Sequence, residues 1–124
     1  MRASESLFFD IRGLRYHVRH WKLAGARKMV LLHGWMDVSA SFQFMVDALR
    51  GDWDVYAPDW RGYGLTAWTS EDQYSFADYL ADLDFLLQEI SPSQPVFLVG
   101  HSLGGNVACI YAGVRPAQIG RAHV

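Results

Sequence analysis

The chain has 124 residues, 51% of them hydrophobic and 19% charged, with a net charge of −2. That length bounds at most one domain with a modest core, and the composition is that of a globular chain and not a disordered one. The slight negative charge excludes a basic footprint for nucleic acid and a polybasic face for a membrane, and the single cysteine excludes an internal disulfide.

The opening segment "MRASESLFFDIRG" lacks the apolar core of a secretory signal. No apolar run reaches the ~18 residues that a bilayer-spanning helix needs, so a cytoplasmic location is the default expectation. The segment "LFFDIRGLRYHVRHW" has a turn residue, Gly13, between two strand-like runs. After it, Leu14, Tyr16 and Val18 alternate with Arg15, His17 and Arg19, which predicts an antiparallel hairpin with one wet face. His17 and His20 are expected on its surface.

Residues 28–32 contain Val30-Leu31-Leu32, apolar on both faces as in a buried parallel strand. Phe42, Met45, Val46 and Leu49 then predict a helix near 41–50, capped by Ser39 or Ser41 and ended by Gly51. A strand is expected at 53–57, stopped by Pro58, and a long loop follows. Ser75 and Asp78 fit a capping box, opening a helix over 75–90. Its acids Asp78, Asp82 and Glu89 fall mostly on the solvated side. A third buried strand is expected at 95–99 and a final helix over 103–113. Cys109 lies in that helix, where a free thiol is expected to be buried and inert. Strands alternating with helices in this way predict a parallel sheet covered by helices.

Ser102 stands between the third buried strand and the final helix, in Gly100-His101-Ser102-Leu103-Gly104. A side chain on so sharp a turn is pushed out at the carboxyl end of the sheet, where ligands bind in open α/β folds. Gly100, Gly104 and Gly105 leave room for the turn. The helix behind aims free N–H groups and its positive end at the same spot, where an oxyanion would be stabilised. The five-residue pattern alone arises by chance in roughly one chain of this size in twenty-five at ordinary Gly and Ser frequencies. The flanking strand and helix raise its specificity.

Two further elements stand beside it. His33-Gly34-Trp35-Met36-Asp37 follows the first buried strand, and Asp59-Trp60-Arg61-Gly62-Tyr63-Gly64 follows the second. With the serine turn, a nucleophile elbow, they make three motifs in the order of the α/β-hydrolase fold family, which the chain resembles over residues 7–117. The match covers the N-terminal half of that family's fold: an antiparallel hairpin, then parallel strands with helices on both faces. The resemblance implies that Ser102 is a nucleophile acting on a small-molecule substrate. It also implies that the backbone N–H groups of Trp35 and Leu103 form an oxyanion hole.

His33 and Gly34 would shape that hole's loop, and His101 would diverge from the serine. Asp59 and Arg61 are assigned to bracing their loop. Trp35 either lines an acyl pocket or covers the sheet end. A serine at this position argues against the dehalogenase and epoxide hydrolase branches, which use Asp there. The run Gly62 to Ala67 also fits a dinucleotide fingerprint. It lacks the strand directly before it and the helix starting within it that such a site needs. No cofactor and no metal are implied, and the oligomeric state stays open.

A serine nucleophile needs a base and an acid to orient that base, in the chain order Ser, Asp or Glu, His for this family. Between Ser102 and Val124 there is no Asp or Glu, and one histidine, His123. The acid and base of the triad are therefore absent from this chain. Residues 118–124 read as a tail without helix or strand pattern. The codons ATC GGA AGA GCA CAC GTC, preceded by the AG of a Gln118 codon, match the start of a common sequencing-library adapter. The expectation is a native segment over 1–117 and a non-native tail over 118–124. Two readings stay open: the N-terminal part of a serine hydrolase, itself inactive, or a noncatalytic module whose Ser102 is inert.

Overall fold

The computed structural model describes residues 1–124. Strands β1 (Glu5–Ile11) and β2 (Leu14–Trp21) form the expected hairpin. Arg12 and Gly13 both have positive φ, 51° and 79°, as a two-residue turn between twisted strands requires. β3 (Arg27–Leu32), β4 (Trp53–Pro58) and β5 (Val96–Gly100) follow, each within a residue of the sequence expectation. A sixth strand, β6, covers Ile119–His123. The sheet order is β1-β2-β4-β3-β5-β6, antiparallel as far as β4 and parallel beyond it.

Alternation along the strands feeds two cores. Val30 and Leu32 join Leu98, Tyr16 and Val18 in the larger one, while Met29 and Leu31 join Trp21, Val55 and Ala57 in the smaller. Helix α1 (Gln43–Ala48) packs Val46 on the smaller core. Helices α2 (Phe76–Ile90) and α3 (Leu103–Val114) cover the larger, through Leu83, Leu86 and Leu87 from α2 and Val107, Ala108 and Tyr111 from α3. Helices thus lie on both faces of the sheet. None is long and apolar enough to cross a membrane.

Five expectations are corrected here. The helix near 41–50 is split into a 3-10 turn at Ser39–Phe42 and the short α1, and neither Ser39 nor Ser41 caps it. The Ser41 hydroxyl instead donates to Asp37. His17 and His20 are buried, because their ring nitrogens meet carboxylates and so satisfy the cost of leaving water. Asp82 is fully buried for the same reason, paired with Arg61. Cys109 is exposed, since the buried stripe of α3 runs through Val107, Ala108 and Tyr111 and turns position 109 outward. Residues 119–123 form a strand where no strand pattern was read. The unpaired backbone edge of apolar β5 offers hydrogen bonds to an adjacent extended segment, and Ile119 and Ala122 pack against the core.

Candidate active site

The turn at Ser102 is built by steric exclusion. A Cβ on Gly100 would lie 2.4 Å from the Gly104 carbonyl oxygen, and one on Gly104 would lie 2.2 Å from that of Leu32. Only glycine fits either position, so α3 starts directly against the end of β5 and the neighbouring β3. Gly105 is less tight, with its nearest contact at 3.2 Å. The His101 N–H donates to the Leu32 carbonyl at 3.0 Å, and the Gly104 N–H donates to that of His101 at 3.0 Å. Between these ties Ser102 is held at φ 54°, ψ −114°. A side chain in such a region costs on the order of 1–3 kcal/mol, which the surrounding packing must sustain. Ser102 is exposed at the carboxyl end of β5, and so is His101.

The loop after β3 lies against this turn. A Cβ on Gly34 would sit 3.1 Å from the Ser102 Cβ and 3.0 Å from the His101 Nδ1. His33 is buried and committed at both ring nitrogens. Its Nε2 accepts from the Trp60 N–H at 3.0 Å, so Nδ1 carries the proton and donates to the Gly34 carbonyl at 2.8 Å. The Trp60 indole N–H donates in turn to the His33 carbonyl at 2.9 Å. Burial lowers the His33 pKa below its ordinary 6.5, with the Gly34 bond opposing, which keeps the ring neutral. The next residues, Trp35 and Met36, are exposed, and Met36 has φ 55°. The backbone N–H groups of Trp35 and Leu103 have no backbone acceptor.

The loop after β4 is the opposite case, because its polar groups are saturated. One Asp59 carboxylate oxygen accepts from the Ser39 N–H at 2.6 Å. The other meets the Leu65 N–H at 3.0 Å and the His17 ring at 2.7 Å. Burial alone would raise the Asp59 pKa; the backbone N–H groups of Leu65 and Ser39, with His17, pull it below the ordinary carboxylate value. Arg61 is 2% exposed and grips Asp82 with two bonds, Nε at 2.6 Å and Nη2 at 2.7 Å. The Tyr16 hydroxyl donates to Asp82 at 2.9 Å and accepts from the Arg61 N–H at 2.9 Å. Asp82 and Tyr16 were missed as partners. The signal was present for Asp82: it falls three residues after Tyr79 and four before Leu86, on the buried stripe of α2.

The structure brings Ser102, Gly34, His101 and the Trp35 loop together, and keeps Asp59 and Arg61 in a separate buried network. No histidine is bonded to the Ser102 hydroxyl. His17 bonds Asp59 and Ser6, His20 bonds Asp54 and Glu5, and His33 bonds Gly34 and Trp60. Beside the Trp35 loop lies an open hollow of about 450 Å³, lined by Trp35, Tyr63, Trp68, Asp72, Tyr74 and Tyr79. Sequence reading singled out only Trp35 among these.

A strand–serine–helix turn, with the loop of a second parallel strand pressed against it, is the arrangement whose family model, described as alpha/beta hydrolase fold, matches residues 28–123. The chain belongs to the α/β-hydrolase fold family. It is 32% identical over 100 residues to a serine hydrolase-like protein of Danio rerio, covering 80% of this chain and 30% of that protein. It is also 32% identical over 108 residues to epoxide hydrolase 4 of Mus musculus, covering 86% of this chain and 30% of that protein. Among solved structures, a thioesterase domain from the curacin biosynthetic pathway superposes with a TM-score of 0.88 at 31% identity. That match covers 97% of this α/β-hydrolase chain and 45% of the thioesterase chain. The chain therefore spans less than half the length of each of these relatives.

Proposed function

We propose that this chain is the nucleophile-bearing part of a serine hydrolase that cleaves an ester or related carbonyl substrate. The supporting observation is Ser102 itself, an exposed hydroxyl held at φ 54° at the start of α3. Strain of this kind persists where the surroundings over-determine it, and it clusters at functional sites. In this reading the Ser102 Oγ attacks the substrate carbonyl carbon as its proton passes to a base. The carbonyl oxygen takes up negative charge and accepts hydrogen bonds from the Trp35 and Leu103 N–H groups. Collapse of the intermediate expels the alcohol or thiol and leaves an acyl-serine, which water then hydrolyses.

The positive end of α3 lies at the same spot and favours the developing charge. His33 holds the Trp35 loop and takes no proton, since both its ring nitrogens are committed. Gly100, Gly104 and Gly34 keep the two loops in contact. Asp59 and Arg61 brace the neighbouring loop and stay clear of substrate. The base and the acid belong to residues of the full-length protein outside these 124, so the chain alone is inactive.

The serine favours carbonyl over epoxide chemistry. Attack by a serine on an epoxide forms an ether, which water does not readily cleave, whereas a carbonyl substrate yields a hydrolysable acyl-serine. The test is labelling of the full-length protein with a fluorophosphonate. One adduct on Ser102, lost in Ser102→Ala, is expected. Equal labelling of the alanine variant, or none of the full-length protein, supports the inert-serine reading instead. The 124-residue chain is expected to hydrolyse p-nitrophenyl acetate no faster than its own Ser102→Ala variant.

A further inference from the structure

The hollow beside the Trp35 loop has a specific chemistry. Five aromatic side chains, Trp35, Tyr63, Trp68, Tyr74 and Tyr79, line it together with one carboxylate, Asp72, and no lysine or arginine does. The rings are not a closed apolar core: Trp35 is 66% exposed and Trp68 is 77% exposed. Trp35 and Tyr63 meet edge to face at 6.1 Å, which fixes two walls at an angle. Tyr74 closes over Gly62, where a Cβ would lie 2.6 Å from its ring, and its hydroxyl accepts from the Thr69 N–H at 3.1 Å. Tyr79 is buried, and its hydroxyl has no hydrogen-bond partner.

We propose that this hollow seats a substituted ammonium group of the ligand. The ring faces carry negative quadrupole potential and attract a cation within about 6 Å of their centroids, and Asp72 adds a full negative charge at the rim. An anionic group meets no lysine or arginine in the lining, and the Arg61 guanidinium near Tyr79 is already held by Asp82. The hollow begins at Trp35, one residue beyond the Gly34 that packs on Ser102. A ligand with its cation among the rings therefore extends naturally toward the elbow. Resting on the serine-hydrolase reading, the substrate class is an ester or related acyl compound with an ammonium-bearing arm.

The test needs no turnover. Saturation-transfer NMR on the methyl protons of choline, with the chain, is expected to give a saturable signal. The neutral isostere 3,3-dimethylbutan-1-ol is expected to bind about tenfold more weakly, the range of a desolvated cation–ring contact. Trp68→Ala is expected to weaken choline about tenfold and Asp72→Asn several-fold, while Trp68→Phe, which restores a ring, recovers most of the affinity. Trp68 is exposed enough that its loss leaves the fold standing, which an unchanged melting profile checks. Equal binding of choline and its isostere, no choline signal, or an unaltered affinity in Trp68→Ala overturns the proposal. Choline binding that persists in Ser102→Ala separates this seat from the chemistry: if the serine is never labelled, the seat still stands.

Discussion

Two regions at the carboxyl end of the same sheet are built on opposite principles. In the loop after β4, Asp59 accepts three hydrogen bonds and Arg61 donates to Asp82 and to the Gln73 carbonyl. In the pair of loops around Ser102, the serine is strained and exposed, and two backbone N–H groups have no backbone acceptor. Asp59 and Arg61 in the first loop thus carry structure, while uncharged groups in the second are left with free hydrogen-bonding capacity. Charge alone is a poor guide to which loop does chemistry; unsatisfied capacity is a better one.

The sharpest way to break this contrast is Arg61→Ala. It leaves Asp82 as a buried carboxylate facing only Tyr16 and Arg12. Breaking a buried pair from one side typically costs about 3–5 kcal/mol, a large part of the stability of a domain this size. Denaturant unfolding is expected to show that loss. A change within about 0.5 kcal/mol would place Arg61 among ordinary surface residues and undo the distinction.

A second contrast lies in pH. Each side holds one group whose protonation is fixed by the fold, His33 beside the Ser102 turn and Asp59 in the loop after β4. Burial keeps the His33 pKa below 6.5, so as pH falls below that value the unfolded chain takes up the proton first. Stability is therefore full above about 6.5 and declines as pH falls toward the folded value. Asp59, held below the ordinary 3.8 mainly by backbone N–H groups working against burial, adds stability that is lost as pH drops through its own depressed value. Thermal melts across pH 3 to 8 are expected to show two descending limbs toward acid. The upper limb should flatten in His33→Gln. A stability that stays level from pH 8 down to 5 would mean that His33 is not held neutral by its burial.

How far the sequence disclosed these two regions follows from the range of their interactions. The elbow is local. Gly100, Ser102 and Gly104 lie within five residues, and the strand before and the helix after have clear periodicity, so position and shape were both readable. The braced network is not local. His17 pairs with Asp59 across 42 positions and Arg61 with Asp82 across 21, and a polar residue in an alternating strand reads as wet until its partner is known. His17 was misplaced for that reason, and Asp82 because its partner Arg61 was not in view although its position on the buried stripe of α2 was readable. Strand β6 was missed because its pairing depends on the free edge of β5 and not on a pattern of its own: Gly120 and Arg121 are exposed within it. The rings around Asp72 were unreadable because they come from three separate segments.

The smallest expected effect is the most diagnostic, since its sign differs between the two regions. Ser102→Gly removes the one side chain at φ 54°. Relief of that strain is worth about 1–3 kcal/mol, and the extra freedom of glycine in the unfolded chain takes back roughly 0.5–1 kcal/mol. The net is a gain of about 1 kcal/mol. Ser102→Ala keeps a Cβ in the same conformation and is expected to leave stability nearly unchanged. Both variants lose the hydroxyl, so both are silent to a fluorophosphonate in the full-length protein. A turn that becomes more stable when its side chain is removed holds that side chain at a cost, whereas the Arg61 network becomes weaker when it is touched. Denaturant midpoints for the two Ser102 variants decide the matter. If glycine destabilises relative to alanine, the turn is relaxed, and the strained serine no longer supports its assignment as the nucleophile.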